Sequence, residues 1–411
     1  MTDYVITAGR SLSYPTKHYG AHFTGSRATF CLDADFAGLS ANVLAIPGLP
    51  ITALSAAPVS VGPEFFGMSV SRRANDSLTG VTASTVRSHD CAGGIGRWQM
   101  IEPSNGAYSW SSLDSWVNTH YAAGREIVFT LFGTPAWASA RPTEENAYSS
   151  FSGGTWYNRG ICAEPANMAK WSAFCSAVAT RYLGKIKYYE VWNEPNYYND
   201  GINLPSPTTG CYFTGTFTKL SEMVRRANQA IKAVDPTAKI ICPATTIWSA
   251  TAGQSAETYF TGMMAASDGA TGIMKDWVDI IGVHLYLPAN KVQDLAGMID
   301  RINAAKTAAG VSGLETWDTE SAPIGPEVSG LSDDRAKAII ARAMLTMAAK
   351  GVARAIYYQY DHGTMGIINR PQIAAYREQI ASLLLSGNIL TVSRFTDGRV
   401  GYYTQWGLTI I

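Results

Sequence analysis

The sequence predicts an α/β fold, a (β/α)8 TIM barrel, and three observations carry that reading. From about residue 65 onward, short β-branched or aromatic runs alternate with segments of helical period, the pattern of strand–helix units laid on a parallel sheet. The alternation repeats eight times, which suits a closed barrel better than an open, doubly wound sheet. Two of the runs, Tyr188-Tyr-Glu-Val-Trp-Asn-Glu-Pro195 and Gly313-Leu-Glu-Thr-Trp-Asp-Thr-Glu320, stop abruptly at a glutamate before a loop. Strand ends are where a barrel keeps its reactive groups.

Taken in order, residues 1–61 are rich in Ser, Ala and Gly, contain Pro47, Pro50 and Pro58, and hold strand-like fragments near 4–8 and 28–32. Residues 62–386 form the barrel, with strands expected over 65–70, 85–89, 126–132, 186–192, 239–243, 278–285, 314–320 and 354–360. Amphipathic segments at 113–123, 165–183, 217–234, 292–308 and 333–349 lie between them, and Gly124 and Asp235-Pro236 act as stops. Residues 387–411 read as a hairpin turned at Asp397-Gly398. The two ends are expected to pair into a small accessory β-module beside the barrel.

Composition narrows the function. A chain of 411 residues, 46% hydrophobic and 16% charged, buries one large core. Lys+Arg and Asp+Glu are both 32, so the basic surface of a nucleic-acid binder is absent from the total and no nucleic-acid partner is expected. The 11 Trp and 21 Tyr exceed what a core ordinarily requires, and aromatic faces stack on sugar rings as well as on one another. The six cysteines (Cys31, Cys91, Cys162, Cys175, Cys211, Cys242) show neither CxxC nor zinc spacing, and read as buried thiols with one disulfide, Cys162 to Cys211, as an alternative. The N-terminus lacks a basic start followed by an apolar run, and no long apolar stretch occurs, so neither an export signal nor a membrane span is expected.

Function is read from the strand ends. Glu194 ends strand 4 and Glu320 ends strand 7, obliquely across the barrel mouth, and two carboxyls so placed are the minimum set for cleaving a glycosidic bond. Arg87 at the end of strand 2 and Tyr286 at the end of strand 6 are the expected donors to Glu320, and a cation and a phenol there would lower its pKa. Asp318 competes with Glu320 for the nucleophile's place. Glu190 and Glu315 read as structural or solvated. His284 belongs to the site beside Tyr286, while His89 stands equally well as a site or a core histidine. Trp137, Tyr197, Trp248 and Tyr360 are candidates to line the cleft, each as readily a packing residue. Six histidines with no His-x-His pair at a strand end give no metal centre, and no cofactor is expected.

At Trp192-Asn193-Glu194-Pro195, with a glutamate ending the seventh strand, the chain resembles the clan A (4/7 superfamily) glycoside hydrolases. Trp98-Gln-Met-Ile-Glu-Pro103, Tyr108-Ser-Trp-Ser-Ser-Leu-Asp114 and Thr134-Pro-Ala-Trp-Ala-Ser139 are similar to family 39, which includes β-xylosidases, α-iduronidase and biofilm exopolysaccharide hydrolases. The resemblance spans roughly residues 62–385. It implies that Glu194 is the general acid/base, Glu320 the nucleophile, and Asn193 the residue that holds the sugar 2-hydroxyl. Many clan A enzymes carry a Trp at the end of strand 8; here the run is Ile356-Tyr-Tyr-Gln-Tyr-Asp361, and Tyr358 or Tyr360 stands in its place.

The expectation is therefore a retaining β-glycosidase that cleaves a polysaccharide or oligosaccharide within the chain, a bacterial exopolysaccharide among the candidates. The long loops 141–161 and 197–213 would wall its cleft. The competing expectation is a carbohydrate-binding or structural particle component on a barrel that has lost turnover. Place of action and oligomeric state are left open by the sequence.

Overall fold

Strands that close a barrel are covered inside by one another and outside by helices, so their sequences must be apolar on both faces. The computed structural model meets that demand in a ring of eight parallel strands: β1 Phe66–Ser69, β2 Thr85–Arg87, β3 Glu126–Leu131, β4 Tyr188–Val191, β5 Lys239–Ile241, β6 Ile280–Val283, β7 Glu315–Ser321 and β8 Val352–Tyr357. Each strand pairs with its neighbours in sequence, and β8 returns to β1. The predicted barrel is the observed fold. All eight predicted strands are present, most of them shorter than predicted because the ladder ends before the apolar run does. The structure describes residues 22–24, 27–31, 51–53, 58–152, 155–197, 212–246, 256–286, 292, 294–322, 332–363, 365–389, 391–395, 400–404 and 407–410.

The outer layer follows from helical spacing. Helix Phe217–Lys232 buries Leu220, Met223, Val224, Ala227 and Ile231, a stripe at three- and four-residue intervals, and starts where the Thr216 side chain accepts the Lys219 N–H. Asn167 and Ser332 cap Met168–Arg181 and Asp333–Ala349 in the same way, and Pro371 opens Pro371–Leu385. The terminal segments form a six-stranded antiparallel sheet in the order His22–Thr24, Arg27–Cys31, Gly407–Ile410, Val400–Thr404, Thr391–Phe395, Ile51–Ala53. Val392, Val400 and Tyr402 are buried and continuous with the barrel core. The turn at Asp397-Gly398 and the fragment at 4–8 lie outside the described residues.

Inside the ring, side chains lie in layers. At the base Arg354 lies over the Trp317 ring at 4.0 Å and the Tyr188 ring at 4.6 Å, and is ion-paired with Glu126. Above it Val128, Ile241, Ile280 and Ile356 form an apolar layer. Two glycines make room for that layer: a Cβ on Gly67 would stand 2.5 Å from Ile356 Cγ1 and 3.0 Å from its Cα, and one on Gly282 would stand 2.9 Å from Ile241 Cγ2. Gly67→Ala is expected to destabilise the barrel by about 1–3 kcal/mol through overpacking, read as a lower urea midpoint at unchanged m-value. An unchanged midpoint would mean that Ile356 yields freely.

Among the described residues no helix is long and apolar enough to cross a membrane. Cys91, Cys175 and Cys242 are buried free thiols, and burial pushes the Cys242 thiol up to about 12. Cys162 is buried; Cys211, its proposed disulfide partner, is outside the described residues.

Candidate active site

β4 stops at Val191 because the next residues leave extended geometry. Trp192 (φ 68°) and Glu194 (φ 45°) are both left-handed, a conformation that costs a non-glycine residue about 1–3 kcal/mol and needs support from its surroundings. The support is visible. The Trp192 indole turns outward between Phe132 and Phe213 and donates to the Tyr212 carbonyl at 2.7 Å, while the Glu194 N–H donates to the Ala244 carbonyl at 3.0 Å. These fixings aim Asn193 and Glu194 into the mouth of the barrel.

The second carboxyl arrives by a different route. Along β7 Trp317 points into the barrel and Asp318 outward, and regular alternation would send Glu320 outward as well. The register with β8 shows why it does not: Asp318 faces Ala355 and Ser321 faces Tyr357, three steps against two. The extra residue is a β-bulge, and it turns Glu320 inward. Asp318 is thereby removed from contention as the nucleophile.

Around Glu320 and Glu194 the buried polar groups form one network. Arg87, wholly buried, reaches Glu320 Oε2 at 2.5 Å, Glu190 Oε2 at 2.6 Å and Asn193 Oδ1 at 2.7 Å. Glu190 also accepts the Thr130 hydroxyl at 2.9 Å; it is buried and structural, not solvated. Tyr286 donates to Glu320 Oε1 at 2.9 Å, and His284 Nδ1 lies 2.7 Å from Glu194 Oε1. One ligand atom each from Glu194, His284 and Glu320 all lie within 4.8 Å of one another. These three could reach a cation, but both Glu320 oxygens and one Glu194 oxygen already take hydrogen bonds or an ion pair from Arg87, Tyr286 and His284, so the arrangement serves proton transfer and attack as it stands.

The expected donors to Glu320 are present, yet the direction expected for its pKa is reversed. Burial raises it, the charges of His284 and Arg87 pull it back, and Glu194 and Asp90 push it up again; the net direction is upward. Desolvation outweighs the two partners. His284 is raised as well: burial opposes its charge, but Glu320 and the bond to Glu194 favour it more.

The remaining candidates divide. His89 touches neither carboxyl; it packs edge-on against Phe132 at 4.9 Å, and burial holds it down to about 3, a neutral core imidazole. Trp137 donates to the Glu102 carbonyl at 2.9 Å and stands against Trp98, which places it in packing. Tyr360 is buried, with its hydroxyl on the Thr79 carbonyl, so the strand-8 position in the site belongs to Tyr358. Tyr197 is at the mouth, tilted on Tyr212 at 4.6 Å, and Tyr212 continues to Tyr148 at 5.0 Å. Trp248 lies outside the described residues.

Sequence reasoning missed Tyr148, Tyr212 and Asp90. Asp90 accepts from Tyr358 at 2.8 Å and from Arg97 at 2.9 Å; burial raises its pKa, and Arg97 with the Tyr358 bond brings it down to about 2, an ionised carboxylate beside the site. Its place directly after the Arg87 strand was the available signal.

A barrel with carboxyls at the ends of its fourth and seventh strands, the first bonded to a histidine and the second to an arginine and a tyrosine, defines a class of enzyme that cleaves sugar linkages. Residues 97–350 match the family model for cellulase (glycosyl hydrolase family 5), and the chain belongs to that family and is a glycoside hydrolase. No curated protein matches the chain. Its fold is similar to a glucosidase from Croceicoccus marinus (TM-score 0.57, 15% identity, 86% of this chain and 74% of that one). It is also similar to a monomeric β-xylosidase from Caulobacter crescentus (0.56, 18%, 85% and 74%) and a family 39 glycoside hydrolase from Bacteroides cellulosilyticus (0.53, 16%, 84% and 72%). The clan A resemblance read from the sequence holds, and the family model that matches is family 5.

Proposed function

We propose that the protein is a retaining β-glycoside hydrolase that cleaves a polysaccharide or oligosaccharide within the chain, with a bacterial exopolysaccharide among the candidate substrates. The observation that supports retention is the approach of Glu194 and Glu320 to within 4.8 Å of each other through one oxygen each. Retention needs carboxyls about 5–5.5 Å apart, whereas inversion must leave about 6.5–9.5 Å for a water between them.

In the first step a Glu320 oxygen attacks the anomeric carbon, the glycosidic bond breaks, and the Glu194 proton passes to the leaving oxygen. In the second, Glu194 takes a proton from water as that water attacks the same carbon, and Glu320 is released. Arg87 and Tyr286 hold the attacking carboxylate in place. An arginine offers donors only, so the Asn193 amide oxygen must face it, which leaves the amide nitrogen to donate to a sugar hydroxyl. Internal cleavage is supported by the aromatic row Tyr148–Tyr212–Tyr197 along one wall, where successive sugar rings can stack.

The test is release of reducing ends from a panel of β-linked polysaccharides, with NMR of the first product. A β-anomer formed before mutarotation is expected, and an α-anomer would overturn retention. Binding without turnover across the panel would favour the carbohydrate-binding reading.

A further inference from the structure

One carboxyl behind the cleft is not used by the reaction as described. Asp318 is fully buried on the outer face of β7, beneath Ile340 and Met344 of helix Asp333–Ala349 and beside Phe65 and Phe66, with Arg377 lining the same small cavity. Its Oδ1 accepts the Leu285 N–H at 3.2 Å, and its Oδ2 accepts the Ser321 hydroxyl. Leu285 sits between His284 and Tyr286; Ser321 follows Glu320.

Backbone pairing gives these bonds their meaning. The β6–β7 ladder ends at Val283 facing Asp318, and the β7 bulge leaves Thr319 and Glu320 without partners on β8. The His284 N–H still reaches the β5 side, at the Thr245 carbonyl, but the next N–H toward β7 is the one taken by the Asp318 side chain. A carboxyl oxygen thus replaces the missing main-chain acceptor one step beyond the ladder. On the other side the Ser321 carbonyl accepts the Tyr358 N–H at 2.8 Å, which carries the tie to the end of β8.

We infer that Asp318 is a positioning residue for hydrolysis, fastening the ends of β6, β7 and β8 from outside the barrel so that His284, Tyr286 and Glu320 keep one mutual alignment. The inference rests on the roles proposed above for Glu194 and Glu320. Burial pushes the Asp318 carboxyl up to about 7, offset in part by the Ser321 bond and by His284, so its charge and that of His284 sense each other through the strand ends.

The experiment compares Asp318→Ala, Asp318→Asn and Ser321→Ala in the full chain, with kcat and KM on the polysaccharide that the wild type degrades and the His284 imidazole titration followed by NMR. The alanine variant is expected to lose kcat by about 10–100-fold with KM within about threefold, as misalignment of roughly an ångström does. Asparagine keeps an acceptor for Leu285 and a donor for Ser321, so kcat stays within about threefold while His284 titrates at lower pH, having lost a nearby negative charge. Wild-type kcat in a folded alanine variant would overturn the inference. So would equal losses in both variants with an unmoved His284 titration. If the alanine variant does not fold, Ser321→Ala decides: a several-fold fall in kcat supports the tether, and an unchanged kcat refutes it. Glu194→Gln and Glu320→Gln run alongside; full activity in those would sink the assigned catalytic roles, whereas the difference in kcat between the alanine and asparagine variants at 318 tests the tether.

Discussion

Arg87→Met is expected to lower stability by about 3–5 kcal/mol and to remove activity, because it strips two buried carboxylates of the cation they share. Arg87 is wholly buried and contacts Glu190, Glu320 and Asn193 at 2.5–2.7 Å. Without it Glu320 keeps only Tyr286, and Glu190 keeps only Thr130, its Oε1 already lacking a partner. Burial would then act on Glu320 against His284 alone and drive it further toward protonation. A protonated Glu320 is no nucleophile. Arg87→Lys keeps a charge but loses the fork that serves two carboxylates and an amide at once, so it should fall between the two. Urea unfolding with kcat/KM measures both effects, and a midpoint within error of the wild type would show that the network is not holding the barrel mouth.

The second large effect separates the two glutamates. Glu320→Gln should cost a factor on the order of 10⁴ or more on every substrate, since no covalent intermediate can form. Glu194→Gln should cost about 10²–10⁴ on a natural linkage, yet much less on an aryl glycoside whose leaving group needs no proton. Equal losses on both substrates would remove Glu194 from the acid role. The pH profile carries a sign: as the proposed nucleophile Glu320 must be ionised, and its pKa is raised by burial, so kcat/KM should fall on acidification while still above the ordinary glutamate range. A profile that stays flat down to that ordinary range would contradict the upward shift.

What the sequence made legible depended on how locally each feature is encoded. The barrel was legible because eight apolar runs and their intervening stripes are one-dimensional patterns. Glu194 was legible from Trp192-Asn193-Glu194-Pro195, and Tyr286 and Arg87 from their places at strand ends. Four things were not. The pKa direction of Glu320 depends on how much water the folded mouth excludes, which no run of residues records. The choice between Tyr358 and Tyr360 depends on which of two side chains the end of β8 turns inward, and the demotion of Trp137 and His89 depends on partners brought from distant strands. Regular alternation in Asp318-Thr319-Glu320 would have put both acids on one face, and only the β7–β8 register separates them.

That register has a consequence for how reactivity and architecture share a chain. Two acids a single residue apart belong to different worlds: one opens on the substrate's space, the other is sealed among the methionines and aromatics of the helical layer. Their division of labour is set by counting, not by composition. Straightening the bulge without removing a residue would send Glu320 outward beside Asp318, so the register of this stretch is as much a part of the enzyme's chemistry as the glutamate it delivers.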